Sequence, residues 1–372
     1  MRIKFEPRMV VPWWLRLIGT IAAILVALAF GAILLNAGGL NPLIAYRQML
    51  KVGFLEPYSV SDTLVKATPL LLVALGLTVA FRMRQWNIGA EGQLLIGAWA
   101  SAAVALFILP PETPRLIMLS AMVMAGFLGG AVWAFIPGIL KAKLNVNEII
   151  TSLMLTYVAA LFIKYFVYGP WSVGGFPLTG QFPKSAWMPR LLDLIDAFPI
   201  FRGMTAHLGF IIGVIIAIIL QWIFVRGKWG YQIKVIGDNP EAARYAGMNL
   251  SRNIILVMVI SGGIAGLAGM SEVSGVIHRL QEHISPGYGF TGIIVAWLAR
   301  LNPLLVVVVS YLFGGLLVGG DAIQPAGIPL LIQGFLMFCV ISADLIVSYR
   351  IRIFKPKKVE TSGEPVEVTH GT

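Results

Sequence analysis

From residue 253 the chain reads N-I-I-L-V-M-V-I-S-G-G-I-A-G-L-A-G-M-S-E-V-S-G-V-I, ending at Ile277, and Glu272 is the only charge in it. A bilayer core is crossed by roughly 17–25 predominantly apolar residues. A run of this length is a transmembrane helix, because lipid accepts only spans whose backbone hydrogen bonds close internally. Its glycines, Gly262, Gly263, Gly266 and Gly269, leave a face that another helix can approach closely. Gly126, Gly129 and Gly130 offer a similar face earlier in the chain, and both clusters read as packing seams.

Working outward, runs of the same kind occupy about 14–36, 63–81, 88–109, 115–139, 146–168, 208–225, 303–320 and 327–347. A shorter run, Gly287 to Ala299, lies between Pro286 and Arg300 and is either a tilted tenth span or a re-entrant half-helix. The first run follows Arg2, Lys4, Arg8 and Arg16. It is longer than the core of a signal peptide and has no clean small-residue cleavage site, so it reads as a retained helix. Composition agrees: 58% of the 372 residues are hydrophobic and 12% charged, against about 25% charged in soluble domains. The expected fold is an all-α polytopic membrane bundle of about ten segments.

Positively charged loops stay on the cytoplasmic side. With ten crossings, that side collects the N-terminal cations, Arg82, Arg84, Lys141, Lys143, Arg226, Lys228, Lys234, Arg244, Arg252, Arg300 and the cations from Arg350 to Lys358, in all 19 of the 28 basic residues. An even number of crossings puts both basic termini there, at the inner membrane surface. The net charge of +11 is explained by this bias, and no basic patch interleaved with aromatics points to nucleic acid. Cys339 lies in an apolar run and reads as a small buried residue. Residues 1–358 are taken as one transmembrane domain, with a long outer loop at about 169–207 and an inner loop at about 226–252. Residues 359–372 hold too little apolar surface to fold and are expected to be disordered.

The inner loop contains G-Y-Q-I-K-V-I-G-D-N-P-E-A-A-R-Y-A-G-M-N from Gly230 to Asn249. Gly237-Asp238-Asn239-Pro240 is a turn signal, with Pro240 suited to the first helical position and Asp238 or Asn239 to the cap. Glu241 favours the positive end of the helix dipole. Glu241 to Tyr245 then form a short helix ended at Gly247. Such an element is either an ordinary solvated turn or a docking point for a soluble partner.

Three motifs resemble those of one family. Glu241-Ala242-Ala243 with Gly247 resembles the loop by which permeases of ABC importers couple to their ATPase, and the wider string Gly237 to Gly247 is similar to that of the sugar, nucleoside and branched-chain amino-acid permeases. The Leu-Pro of some other importer classes is absent. W-N-I-G-A-E-G-Q, Trp86 to Gln93, resembles a segment of nucleoside and simple-sugar permeases that work with basic-membrane-protein-type lipoproteins. N-V-N-E-I-I-T-S-L-M-L-T-Y, Asn145 to Tyr157, is similar to a third segment of that family, with Thr156 where Asn is usual.

The resemblance implies that Gly237, Asp238, Asn239, Glu241, Ala242, Ala243 and Gly247 couple to the ATPase. It makes Asn87, Glu91, Gln93, Asn147 and Glu148 candidates for the pathway or its gate, although capping and packing roles fit their helix-end positions as well. It further implies an ABC ATPase subunit, a second permease in a heterodimer, an external substrate-binding lipoprotein and surrounding membrane lipid. No phosphate-binding G-x-x-x-x-G-K-[ST] string occurs, so ATP would be used by a partner and no cofactor is expected in this chain.

The alternative is an ion-coupled secondary transporter of a small polar solute, which the broken Pro286–Arg300 segment keeps open. A membrane enzyme would need converging catalytic groups, and His207, His278, His283 and His370 all fall outside span centres. His278 and His283 beside Glu282 are too few for a four-ligand metal centre. Glu272, Asp321 and Asp344 stand near the ends of apolar runs and are expected to face water. Trp13, Trp14, Trp171 and Trp187 fit interfacial aromatic belts. Trp86, Trp99 and Trp297 are candidates for ring stacking or for plain packing.

Overall fold

A computed structural model describes residues 2–8, 12–56, 58–194, 199, 202–321, 323 and 327–354. The tail expected to be disordered lies outside the described residues. Among the described residues thirteen α-helices follow one another: α1 Trp13–Ala37, α2 Pro42–Leu50, α3 Ser59–Arg82, α4 Ala90–Ala103, α5 Arg115–Leu144, α6 Glu148–Tyr168, α7 Gly209–Arg226, α8 Lys228–Asp238, α9 Pro240–Tyr245, α10 Leu250–Glu272, α11 Tyr288–Leu298, α12 Pro303–Asp321 and α13 Gly327–Ser348. Single π-turns extend α2, α4 and α10, the last to Ile277. Among the described residues, eight helices are long and apolar enough to cross a membrane; α11 and part of α13 form shorter apolar helices. The helical membrane bundle expected from the sequence is what the chain forms.

The chain divides into two units. The smaller holds residues 1–33 and 331–372. Within it, strands β1 (Arg2–Pro7) and β2 (Tyr349–Phe354) pair antiparallel, Arg2 opposite Phe354. Phe30 stacks on Phe335 at 3.8 Å.

The larger unit, residues 34–330, is organised around α3. Every residue from Ala67 to Phe81 is buried, so this helix is apolar on all faces and lies within the bundle rather than at its edge. Around it stand α4, α10, α11 and α12. Helices α4, α5 and α10 meet along the glycine seams: a methyl at Gly130 would lie 2.1 Å from the Gly262 carbonyl oxygen, and one at Gly269 would lie 2.0 Å from that of Leu94. Only glycine permits backbones this close. The outer faces of α5, α6 and α7 carry exposed apolar side chains, such as Leu116, Leu161 and Trp222, as surfaces solvated by lipid should.

The path of residues 278–298 answers the question left by the short tenth run. At one end of the unit Leu280 exchanges hydrogen bonds with Thr179, whose N–H donates to the Leu280 carbonyl at 2.9 Å and whose Oγ1 accepts from the Leu280 N–H at 3.0 Å. At the other end the Arg82 Nε donates to the Leu301 carbonyl at 2.9 Å. The segment therefore traverses the unit as an extended stretch followed by an 11-residue helix. It is a broken crossing, not a re-entrant hairpin.

A group of basic residues of the larger unit, among them Arg82, Arg84 and Lys141, gathers at one end. Lys141 pairs with Glu148 at 3.0 Å, Arg84 with Asp238 at 3.9 Å, and the Arg82 guanidinium lies 4.2 Å over the Phe224 ring. These contacts tie the ends of α3, α5, α7 and α8 and the start of α6 into one face, as the charge bias of the loops requires.

Candidate functional site

The segment Trp86–Gln93 bends sharply between α3 and α4, and its polar side chains are all used. The Asn87 Nδ2 donates to Gln93 Oε1 at 2.9 Å and to Ser261 Oγ at 2.9 Å. Its Oδ1 accepts from Gln93 Nε2 at 2.8 Å and from the Gly89 N–H at 3.3 Å. A carboxamide has two donors and two acceptor sites, and this one, fully buried, satisfies all four. Two further contacts hold the turn to α6: the Ile88 N–H donates to Ser152 Oγ at 3.2 Å, and the Trp86 N–H reaches Glu148 Oε1 at 3.5 Å.

Glu91 serves a different neighbour. Its Oε2 accepts from the Gly289 N–H at 2.5 Å, and the Ser285 hydroxyl and Gly287 amide are also directed at it. The carboxylate thus occupies the start of α11, where free backbone amides and the helix dipole favour a negative charge. A methyl at Gly289 would lie 2.3 Å from the Glu91 nitrogen, so the two backbones leave no room for a side chain. One motif therefore fixes the junctions of α4 with α6, α10 and the broken crossing.

Of the five pathway or gate candidates, Asn87 and Gln93 pair with each other and Glu91 turns to the start of α11, and all three are buried. Glu148 stands one turn of contact away, buried against Lys141 and the Trp86 amide. Asn147 does not join them: its Oδ1 caps α6 by accepting from the Ile149 N–H at 2.9 Å. Thr156 packs against the α4 backbone, where a methyl at Gly92 would lie 2.8 Å from its Cα. Sequence reading missed the partners Ser261, Ser285 and Gly289, which carry no motif of their own, and the part played by Ser152 within the Asn145–Tyr157 motif.

The inner loop forms two helices where one was expected. α8 precedes the turn, and Gly237 lets it meet the end of α3: a methyl there would lie 2.6 Å from the Arg82 carbonyl oxygen. Asn239 is the cap of α9, its Oδ1 accepting from Glu241 N–H at 3.1 Å and Ala242 N–H at 3.0 Å. Gly247 has φ +76°, and the Met248 N–H returns to the Ala243 carbonyl at 3.0 Å, a glycine-terminated helix end. Ala243 is buried against the unit, whereas Glu241, Ala242, Arg244 and Tyr245 face outward, Tyr245 at 93% exposure. The result is a two-helix projection on the basic end, with α9 at its tip.

At the opposite end the segment 170–194 lies across the end of α10. Ser274 Oγ donates to the Ala186 carbonyl at 2.6 Å, and Arg190 donates to the Gly275 carbonyl through Nε at 3.0 Å and Nη2 at 2.7 Å. Arg190 Nη2 also meets His278 Nε2, and the His278 ring stacks on Trp187 at 3.9 Å. An arginine donates only, so His278 accepts and is neutral. Burial, with Arg190 beside it, lowers the His278 pKa to about 4, and burial with Arg190 and His278 does the same to His207. Hydrogen bonds from Lys164 and Tyr168 hold the Glu282 carboxyl below its usual range.

One expectation needs correction. Glu272 does not face water; it is 6% exposed, because a π-turn carries its helix on to Ile277. Asp321 is exposed as expected, and the Asp344 side chain lies outside the described residues. Trp187 is stacked on a histidine, Trp171 lies parallel to Trp99 at 5.5 Å, and Trp86 packs on Trp297 at 5.7 Å. These rings are used for packing. Among the described residues no group of three His, Cys, Asp or Glu is placed to hold a metal.

Comparison with known proteins assigns the family. Residues 59–341 match the family described as branched-chain amino acid transport system / permease component. The chain is 34% identical to the glucose ABC transporter permease protein TsgB13 of Haloferax volcanii, over 94% of each chain. It is 33% identical to the nucleoside ABC transporter permease protein NupB of Lactococcus lactis, covering 82% of this chain and 84% of that one. It is also 33% identical to the guanosine ABC transporter permease protein NupP of Bacillus subtilis, covering 80% and 83%. Each of these organisms holds a second, more distant match, at 29%, 24% and 30% identity respectively.

Proposed function

This chain belongs to the family of branched-chain amino acid transport permease components, and from that premise we propose that it is the membrane-spanning subunit of an ABC importer for nucleosides or simple sugars. ATP is hydrolysed on separate subunits. The observation that carries this reading is the projection at the basic end: a short helix capped by Asn239, terminated at Gly247 and exposed on Glu241, Ala242, Arg244 and Tyr245. By the positive-inside rule that end faces the cytoplasm, where an ATPase would meet it.

The geometry supports a route for the stroke. A push on α9 passes to α8, which touches the end of α3 at Gly237. The end of α3 holds the broken crossing through Arg82 and Leu301, and Glu91 holds the start of its helix. Motion of α9 is thus linked by packed backbone to α11, the element best able to move because its crossing is only partly helical. Asn87, Glu91 and Gln93 act in this reading as joints, not as solute ligands. The glucose, nucleoside and guanosine permeases named above support a polyhydroxylated ring as solute. Two unequal permease matches in each of three organisms support pairing with a non-identical permease, and the resemblance adds an external binding lipoprotein.

The test is to purify the tagged chain from its native membranes in mild detergent and identify the proteins that accompany it. Recovery of an ATPase and a second permease is the expected result. A chain recovered alone that still catalyses uptake in ATP-free vesicles overturns the proposal in favour of an ion-coupled carrier.

A further inference from the structure

A groove of about 880 Å³ opens at the basic end between α7–α8 and the start of α10. Its walls carry Arg226, Lys228, Lys234 and Arg252, all exposed, and no acidic residue lines it. A shallower depression of about 330 Å³ adjoins it across Arg252 and adds Lys143, again with no acid. Two other cations on this end have acidic partners, Lys141 with Glu148 and Arg84 with Asp238. None of the five groove cations has an acidic partner among the described residues. Five neighbouring cations that repel one another without a counter-charge are a site for an anion supplied from outside.

The groove is also half apolar. Leu256 lines it, and on α7 it runs into the exposed apolar face that carries Trp222 and Val225, a face for lipid. The Trp229 indole donates to Asn253 Oδ1 at 3.1 Å and fixes α8 against α10 at the boundary between the two regions. A cationic pocket opening sideways onto a lipid-facing surface fits a molecule with an anionic head and hydrocarbon tails. A soluble anion would not need the apolar side, and an acidic protein surface would not need it to open toward lipid.

We infer that this groove binds the headgroup of an anionic phospholipid, with its acyl chains laid along α7. The lipid bridges α8 and α10, the two supports of α9, and so sets the stiffness of the projection. The inference stands on the geometry of the basic end and does not rest on the importer reading.

Native mass spectrometry of the full chain, with any subunits that accompany it, tests this in detergent titrated with phosphatidylglycerol or phosphatidylcholine. Selective retention of one phosphatidylglycerol is expected, reduced about thirtyfold in the double variant Lys228→Gln, Arg252→Gln. Lys184→Gln, on the far segment, should leave it unchanged. Retention in the wild type should weaken as ionic strength rises, which checks the site without any variant. Equal retention of the two lipids, retention indifferent to the double variant, or displacement by millimolar inorganic phosphate would each overturn the inference, the last by assigning the groove to a free anion.

Discussion

The Glu91 carboxylate caps the start of α11, accepting from the N–H of Gly289, 198 residues later, at 2.5 Å. This single contact joins a motif near the start of the chain to the only broken crossing among the described residues. Glu91→Gln retains an acceptor and should stay folded with reduced uptake. Glu91→Ala leaves buried amides unpaired and should destabilise by about 1–3 kcal/mol. Gly289→Ala drives a methyl into the Glu91 backbone and should cost about as much by overpacking. Thermal unfolding in detergent, alongside uptake, separates the three.

The Asn87–Gln93 pair makes a second prediction. Because Asn87 satisfies four polar groups at once, Asn87→Ala should destabilise by roughly 2–3 kcal/mol. Gln93→Ala on that background should add little, since its partner is already gone. A double-mutant cycle measures this, and strict additivity would show that the two amides act independently.

At the tip of the projection, stability and function should separate. Asn239→Ala removes the cap of α9 and should loosen it by about 1 kcal/mol. Glu241→Lys lies on the exposed face and should leave the fold intact while abolishing ATP-driven uptake. Gly247→Arg places a side chain at φ +76° and should both strain the loop and stop transport. Undiminished uptake by Glu241→Lys and Gly247→Arg would remove the coupling role from this loop.

The far end should respond to acid. His207 and His278 have folded pKa values near 4, below the free value of about 6.5, so the unfolded chain binds protons first. Stability from these groups is complete above about pH 6.5 and is lost as pH falls toward 4. The charged groups facing the pair are Arg190 and, beyond it, Asp193. The thermal midpoint should drop between pH 7 and pH 5, and His278→Gln, which cannot titrate, should flatten that dependence.

Much of this fold could be read along the chain. The run read as 253–277 is the helix that begins at Leu250 and ends at Ile277, and the run read as 208–225 is Gly209–Arg226. Apolar length alone sets such boundaries. α5 extends past its apolar run to Leu144 because Lys141 and Lys143 can reach water from a helical backbone. α2 escaped notice because it has nine residues, too few to register as a span. α8 escaped because Gly230 and Gly237 look like loop residues, although both are there for close contact. The Asn239 cap and the Gly247 stop were legible because capping depends on residues a few positions apart. The role of Glu91 was not, since its partner is a backbone amide far along the chain. The burial of Glu272 was hidden because a π-turn carries its helix on past it to Ile277, and the basic groove because its residues come from α7, α8, α10 and the end of α5.

The most direct measurement of the central claim is uptake of radiolabelled guanosine and glucose by vesicles holding this chain with its co-purified subunits and binding protein, with and without enclosed ATP. The account predicts uptake of a nucleoside or sugar that requires ATP hydrolysis, survives collapse of ion gradients, and disappears in Glu241→Lys. Uptake that proceeds without ATP and stops when the ion gradient is collapsed would contradict it.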